Sequence, residues 1–141
     1  MNVRLLVANH NKTVFLHQLG IIMKRDMELI RKMLLALEKD QNPHELEGYT
    51  KEQLGYHAYL IVDGGLAKGV DSTSRREAQT QIQTALLTVL SWPGAEFLDC
   101  ARDESIWAQA TSKAKSVGGV SLPVLKALLI EYLKTKLGLN S

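Results

Sequence analysis

Apolar residues recur at helical spacing in MKRDMELIRKMLLALEKD, where Met27, Ile30, Met33, Leu34 and Leu37 share one face and Arg31, Lys32, Glu38 and Lys39 fall mostly outside it. Glu28 and Lys32 add a favourable pair one turn apart. Asn42 and Pro43 close the helix, since proline cannot continue it and restricts the residue before it. In EGYTKEQLGYHAYLIVDGGL, Thr50 is placed to cap a second helix whose apolar face carries Leu54, His57, Ala58, Ile61 and Val62, and Gly64 or Gly65 terminates it. A bend at Gly55 would divide this stretch into two helices.

The pattern then changes. Leu66 to Val70 is short and strand-like, DSTSRREAQTQ is polar enough for a hairpin tip, and Ile82 to Leu90, rich in Thr, Val and Leu, returns as a second strand. Ser91 and Pro93 open a further helix through Phe97, Leu98 and Ala101. ESIWAQATSKAKSVGG is another, closed by Gly118 and Gly119. Ser121 and Pro123 begin a last helix in which Leu122, Leu125, Leu129, Tyr132, Leu133 and Leu137 form an apolar stripe, ended by Gly138. The expectation is a mainly α chain with a small β-hairpin, in the order helix, helix, helix, hairpin, helix: a winged helix-turn-helix with a helical C-terminal extension.

With 141 residues, 45% hydrophobic and 23% charged, the chain suits a globular domain with a real core. The formal net charge of +2 is uneven: residues 1–22 hold Arg4 and Lys12 with no acid, and from Met23 onward 15 basic residues (17 minus 2) meet 15 acidic ones. The basic excess that phosphate neutralisation favours in a DNA-binding domain is therefore missing. Cys100 stands alone, with no CxxC or Cys/His cluster, which suits a reducing compartment and argues against a metal site. No apolar run approaches the roughly 20 residues of a membrane span, and MNVRLLVANHNKTVFLHQLGII is broken by Asn, His and Lys where a signal peptide would be continuously apolar. A cytoplasmic protein with no membrane partner is expected.

The segments MKRDMELIRKMLLALE, EGYTKEQLGYHAYLIVDGGL, LSWPGAEFLDCARDESIW and LPVLKALLIEYLKTKLGL resemble those of an uncharacterised family of short bacterial and prophage-encoded proteins, catalogued only as a domain of unknown function. The resemblance runs from about Met23 to Leu139 and implies a winged-helix core with a helical C-terminal extension, without implying an activity. Members begin at a stretch like MKRDM, so residues 1–22 depart from the pattern as an upstream extension or an alternative start. The expected organisation is an extension at 1–22, a winged-helix core at 23–104, and a helical extension at 105–141 packed on the same domain.

Candidate chemistry follows from placement. In the suspected reading helix, Lys51, Gln53, Tyr56 and His57 are groups that could face a groove, since Gln pairs with adenine and Lys with guanine or phosphate. The plainer reading packs the tyrosines on neighbouring helices and satisfies His57 internally. At the hairpin tip, Arg75 and Arg76 suit phosphate or minor-groove contact, although Asp71 and Glu77 flank them. Glu96, Asp99, Asp103 and Glu104 gather carboxylates near one helix end, but no partnering His or phosphate loop accompanies them, and DGGLAKG follows a helix where a phosphate cradle follows a strand. A non-enzyme without cofactor or metal is expected.

The expected function is a DNA-binding winged helix, such as a phage or bacterial transcriptional regulator; the alternative is a phage-derived protein-interaction module acting on a host protein without DNA binding. A homodimer through Leu125, Leu129, Tyr132 and Leu133 is a further expectation, because Leu128 and Ile130 widen the apolar arc of the last helix. A helical cap folded back on its own chain is the alternative.

Overall fold

The computed structural model describes residues 23–75 and 83–139. The expectations for residues 1–22, for Arg76 and for the far part of the hairpin tip lie outside the described residues. The described elements are α1 (Met27–Glu38), α2 (Lys51–Asp63), β1 (Ala67–Asp71), β2 (Ala85–Leu90), α3 (Trp92–Ala101), α4 (Glu104–Lys115) and α5 (Leu122–Lys136). The chain is thus mainly helical with one small antiparallel hairpin. Its contacts divide it into a unit ending at Ser91 and a unit Trp92–Ser141, so the division falls ahead of α3.

α1 starts at Met27, the first of its periodic apolar positions, because the Asp26 carboxylate accepts from the N–H groups of Glu28 and Leu29 at 2.9 and 3.3 Å and fixes the first turn there. It also stops before Asn42 and Pro43. Asp40 takes a left-handed φ of +59°, Asp40 N–H donates to the Leu37 carbonyl, and Gln41 N–H donates to the Ala36 carbonyl. This pair of bonds closes the last turn without help from proline. Arg31, placed outside by the pattern, is 3% exposed, with its Nη1 3.7 Å from Glu28 Oε2.

α2 is one unbroken helix. Thr50 Oγ1 accepts from Gln53 N–H at 3.0 Å and Gln53 Oε1 accepts from Thr50 N–H at 2.8 Å, a reciprocal cap that satisfies two orphan donors. Gly65, at φ +78°, supplies the left-handed closing residue. Gly55 does not bend the helix. A Cβ there would lie 2.8 Å from Thr84 Cγ2 and 3.1 Å from Thr84 Cβ, so glycine lets the segment entering β2 approach the helix backbone. Only two described helices therefore precede the hairpin, and turns fill the chain from Lys39 to Thr50.

β1 and β2 pair antiparallel, with Lys68 opposite Val89, Gly69 opposite Leu87 and Val70 opposite Leu86. A bulge after Lys68 leaves Thr88 as the extra residue of β2. Gly69 is a second point of close approach: a Cβ there would meet the Leu86 carbonyl oxygen at 2.4 Å and Val62 Cγ2 at 2.9 Å. The buried apolar residues of this unit are Leu29, Ile30, Met33, Leu34 and Ala36 of α1, Leu54, Ala58 and Ile61 of α2, and Leu66, Ala67 and Ala85 around the hairpin.

In the second unit, α5 packs on α3 and α4. Phe97 meets Trp107 edge-on, with centroids 6.1 Å apart, among buried Leu98, Ala101, Ile106, Ala110, Leu125 and Leu129. Asp103 caps α4 by accepting from Ile106 N–H at 2.9 Å and also receives Lys136 from the end of α5.

The Gly55 contact gives a test. Gly55→Ala should gain about 1 kcal/mol of helix propensity and lose about 1–3 kcal/mol to overpacking, for a net destabilisation in urea melts. In a Thr84→Ser background, which lacks the obstructing methyl, the same substitution should be neutral or stabilising. Equal effects in both backgrounds would reject the contact.

Candidate interaction surface

The sequence-derived contacts on α2 separate into exposed and internal groups. Lys51 is exposed. Gln53 is half-buried and its side-chain oxygen is engaged in the cap described above. Tyr56 is half-buried, stacked on Tyr59 at 6.5 Å between centroids and edge-on to His57. His57 is only 2% exposed: its Nε2 accepts from Asp26 N–H at 2.9 Å and its Nδ1 lies 2.8 Å from the Gln53 carbonyl oxygen. Because the Asp26 amide can only donate and the Gln53 carbonyl can only accept, the ring is the tautomer with hydrogen on Nδ1. His57 thus ties the start of α1 to the middle of α2 and does not reach a groove.

The charges left outside on α2 are Lys51, Glu52 and Asp63, a formal sum of −1. Near the hairpin, Lys68 and Arg75 are exposed, as is Asp71. The Thr73 side chain and backbone N–H hold the Asp71 carboxyl below its ordinary range, with Thr73 N–H donating at 2.8 Å. The hairpin region therefore keeps an anion among its cations.

A surface that the strand pattern concealed is the outer face of the hairpin. Strict alternation would send Leu86 and Thr88 to one side and Val89 to the other. The bulge at Thr88 reverses the parity, so that Leu86 and Val89 emerge on the same face as their cross-strand partners Val70 and Lys68. Val70 is 56%, Leu86 50% and Val89 53% exposed. Three large aliphatic residues and one ammonium group thus share a small open sheet face, whereas Ala67, Gly69, Ala85, Leu87 and Leu90 face inward.

A second feature without a clear sequence signal is His44, in the turns between α1 and α2. Its backbone N–H donates to Asn42 Oδ1 at 2.9 Å, and its Nε2 accepts from Leu87 N–H at 3.1 Å. Burial lowers the His44 pKa from its ordinary value.

The other candidate groups are internal to the second unit. Leu125 and Leu129 are buried and Tyr132 and Leu133 half-buried, so the first two belong to the core and not to a free stripe. The carboxylates do not converge: Asp99 pairs with Arg102 at 3.1 Å, Glu96 lies 4.0 Å from Lys126, and Asp103 is held by Lys136 and by its capping bond, which keep its carboxyl below the usual range. Burial pushes the Cys100 thiol up. Among the described residues no group of three His, Cys, Asp or Glu could hold a metal ion, and no helix is long and apolar enough to cross a membrane.

A family model described as "Hypothetical protein (DUF2513)" matches residues 24–121, which takes in every described element of the first unit together with α3 and α4. An uncharacterized protein of Haemophilus influenzae (strain ATCC 51907 / DSM 11121 / KW20 / Rd) is 32% identical over 112 residues, covering 74% of this chain and 90% of that relative. No solved structure gives a significant match.

Placement of His57 in the interior predicts an asymmetric outcome. His57→Leu leaves the Asp26 amide without its acceptor and the Gln53 carbonyl without this donor, and should lower unfolding stability by about 2–4 kcal/mol. Lys51→Ala, at an exposed site, should change it by less than about 0.5 kcal/mol. Urea melts showing similar small effects at both positions would contradict the internal role.

Proposed function

The chain belongs to the DUF2513 family, and we propose that it is a protein-interaction module in which a winged-helix-like first unit presents the outer face of its hairpin to a partner protein. The observation that carries this reading is the exposed trio Val70, Leu86 and Val89 beside Lys68. Clustered apolar residues on an otherwise polar surface mark interfaces, and burying half-exposed aliphatic side chains supplies association energy without requiring them for the fold. Lys68 at the margin favours a partner surface that sets a carboxylate beside an apolar anchor.

Duplex DNA is the competing reading. It has in its favour the order of α1, α2 and hairpin and the exposed Arg75. Against it stand the formal charge of −1 on the exposed face of α2, the internal commitments of Gln53 and His57, and an aliphatic wing face that gains little from phosphate.

The test places a photo-crosslinking side chain at Val89 in the full chain, expressed in its source organism. A discrete protein adduct is expected, lost when Leu86→Glu is added and not formed from a crosslinker at the exposed Ser112. Leu86→Glu should change the unfolding free energy by less than about 0.5–1 kcal/mol, because the position is open to solvent. Absence of an adduct, together with a gel shift of arbitrary duplex that weakens steeply with salt, would replace this reading with DNA binding.

A further inference from the structure

The turns between α1 and α2 do more than connect helices. Leu87 is paired with Gly69, yet its N–H points away from β1, because Leu87 N–H donates to His44 Nε2 at 3.1 Å. This agrees with the ladder on either side: Ser72 N–H donates to the Thr84 carbonyl, so the Val70–Leu86 pair is the hydrogen-bonded one and Gly69–Leu87 is not. On the outer edge of β2 the imidazole therefore stands where the carbonyl of a third strand would stand. The turn that carries it is itself ordered, since Pro43 is buried and Asn42 Oδ1 accepts from His44 N–H at 2.9 Å.

We infer that His44 is a proton-operated latch on the outer edge of β2. The unprotonated Nε2 closes the edge. The imidazolium carries N–H on both ring nitrogens and has no acceptor to offer, so protonation breaks the bond, frees the Leu87 N–H and loosens the 42–48 turns from the hairpin. The latch does not depend on the hairpin binding a partner.

The direction of the pH response follows from the surroundings of the ring. β2 carries no charged residue, Glu45 and Glu47 of the same turns are exposed, and among the described residues no charged group of α1, α2 or β1 contributes to the change in His44 affinity; burial alone lowers it. The unfolded chain therefore takes up the proton more readily than the folded one. The stabilisation is fully present above the ordinary histidine value of about 6.5 and is lost as pH falls below it toward the folded value.

Nuclear magnetic resonance on the full chain tests the latch. The Leu87 amide shift should follow the titration of the His44 ring with the same midpoint, below about 6.5. Its exchange protection, corrected for the intrinsic pH dependence, should fall about three- to tenfold across that titration, as expected for loss of one hydrogen bond, while core amides such as Leu29 and Ile61 keep theirs. His44→Gln, which offers a non-titrating acceptor, should abolish the pH dependence at Leu87. A Leu87 amide that ignores the His44 titration in the wild-type chain overturns the inference, and so does a pH response that survives unchanged in His44→Gln. Should that variant fail to fold, the wild-type titration alone decides.

Discussion

The first unit depends on how closely the strand pair is allowed to approach α2. Two glycines set that distance: Gly55 on the helix, facing Thr84, and Gly69 on the strand, facing Val62 and the Leu86 carbonyl. Each lies where a single added carbon would overlap an atom already in place. The approach brings small Ala67 and Ala85 into the buried layer alongside Leu54, Ala58 and Ile61. His57 performs the matching task on the other side of α2, where its two ring nitrogens join backbone groups at the start of α1 and within α2 itself. A helix with an interior of this kind has little latitude to turn its buried face outward.

The same constraint explains what remains outside. The inner face of the hairpin carries Ala67, Gly69, Ala85, Leu87 and Leu90, and Val70, Leu86 and Val89 occupy the opposite face. The bulge at Thr88 is what brings Val89 into that group. An unbulged β2 would expose Thr88 there and send Val89 inward.

Much of the element order was legible in the sequence because its signals are local. Thr50 ahead of α2 and the glycine closing that helix act through groups within a few residues of themselves, and the structure uses them so. What was not legible depends on residues far along the chain. Gly55 reads equally as a bend or as a point of contact, and only Thr84, 29 positions later, decides (84 minus 55). Periodicity identified the faces of α1 and α5 but not what covers them, which is why Arg31 is internal and why Leu125 and Leu129 belong to a core and not to a dimer seam. Asn42 and Pro43 are the local breakers that follow α1, although Asp40 closes the helix first. For the candidate surface the loss was greater. Alternation in ALLTVL points to the wrong partner for Leu86 until the register is known, and nothing around His44 announces that its acceptor faces a strand edge.

A two-stranded sheet has two open edges and an exposed face, and each is a route to association. On β2 the edge route is obstructed twice, by the His44 ring on the Leu87 amide and by the irregular spacing at Thr88, so an incoming strand cannot continue the ladder in register. The face is not obstructed. It carries the large aliphatic groups, and Lys68 at its margin discourages self-association of two such faces by setting like charges together. Protection of the edge beside exposure of the face is the arrangement that suits side-chain recognition of a different protein, and it is harder to reconcile with strand addition or with a wing that rests on phosphate.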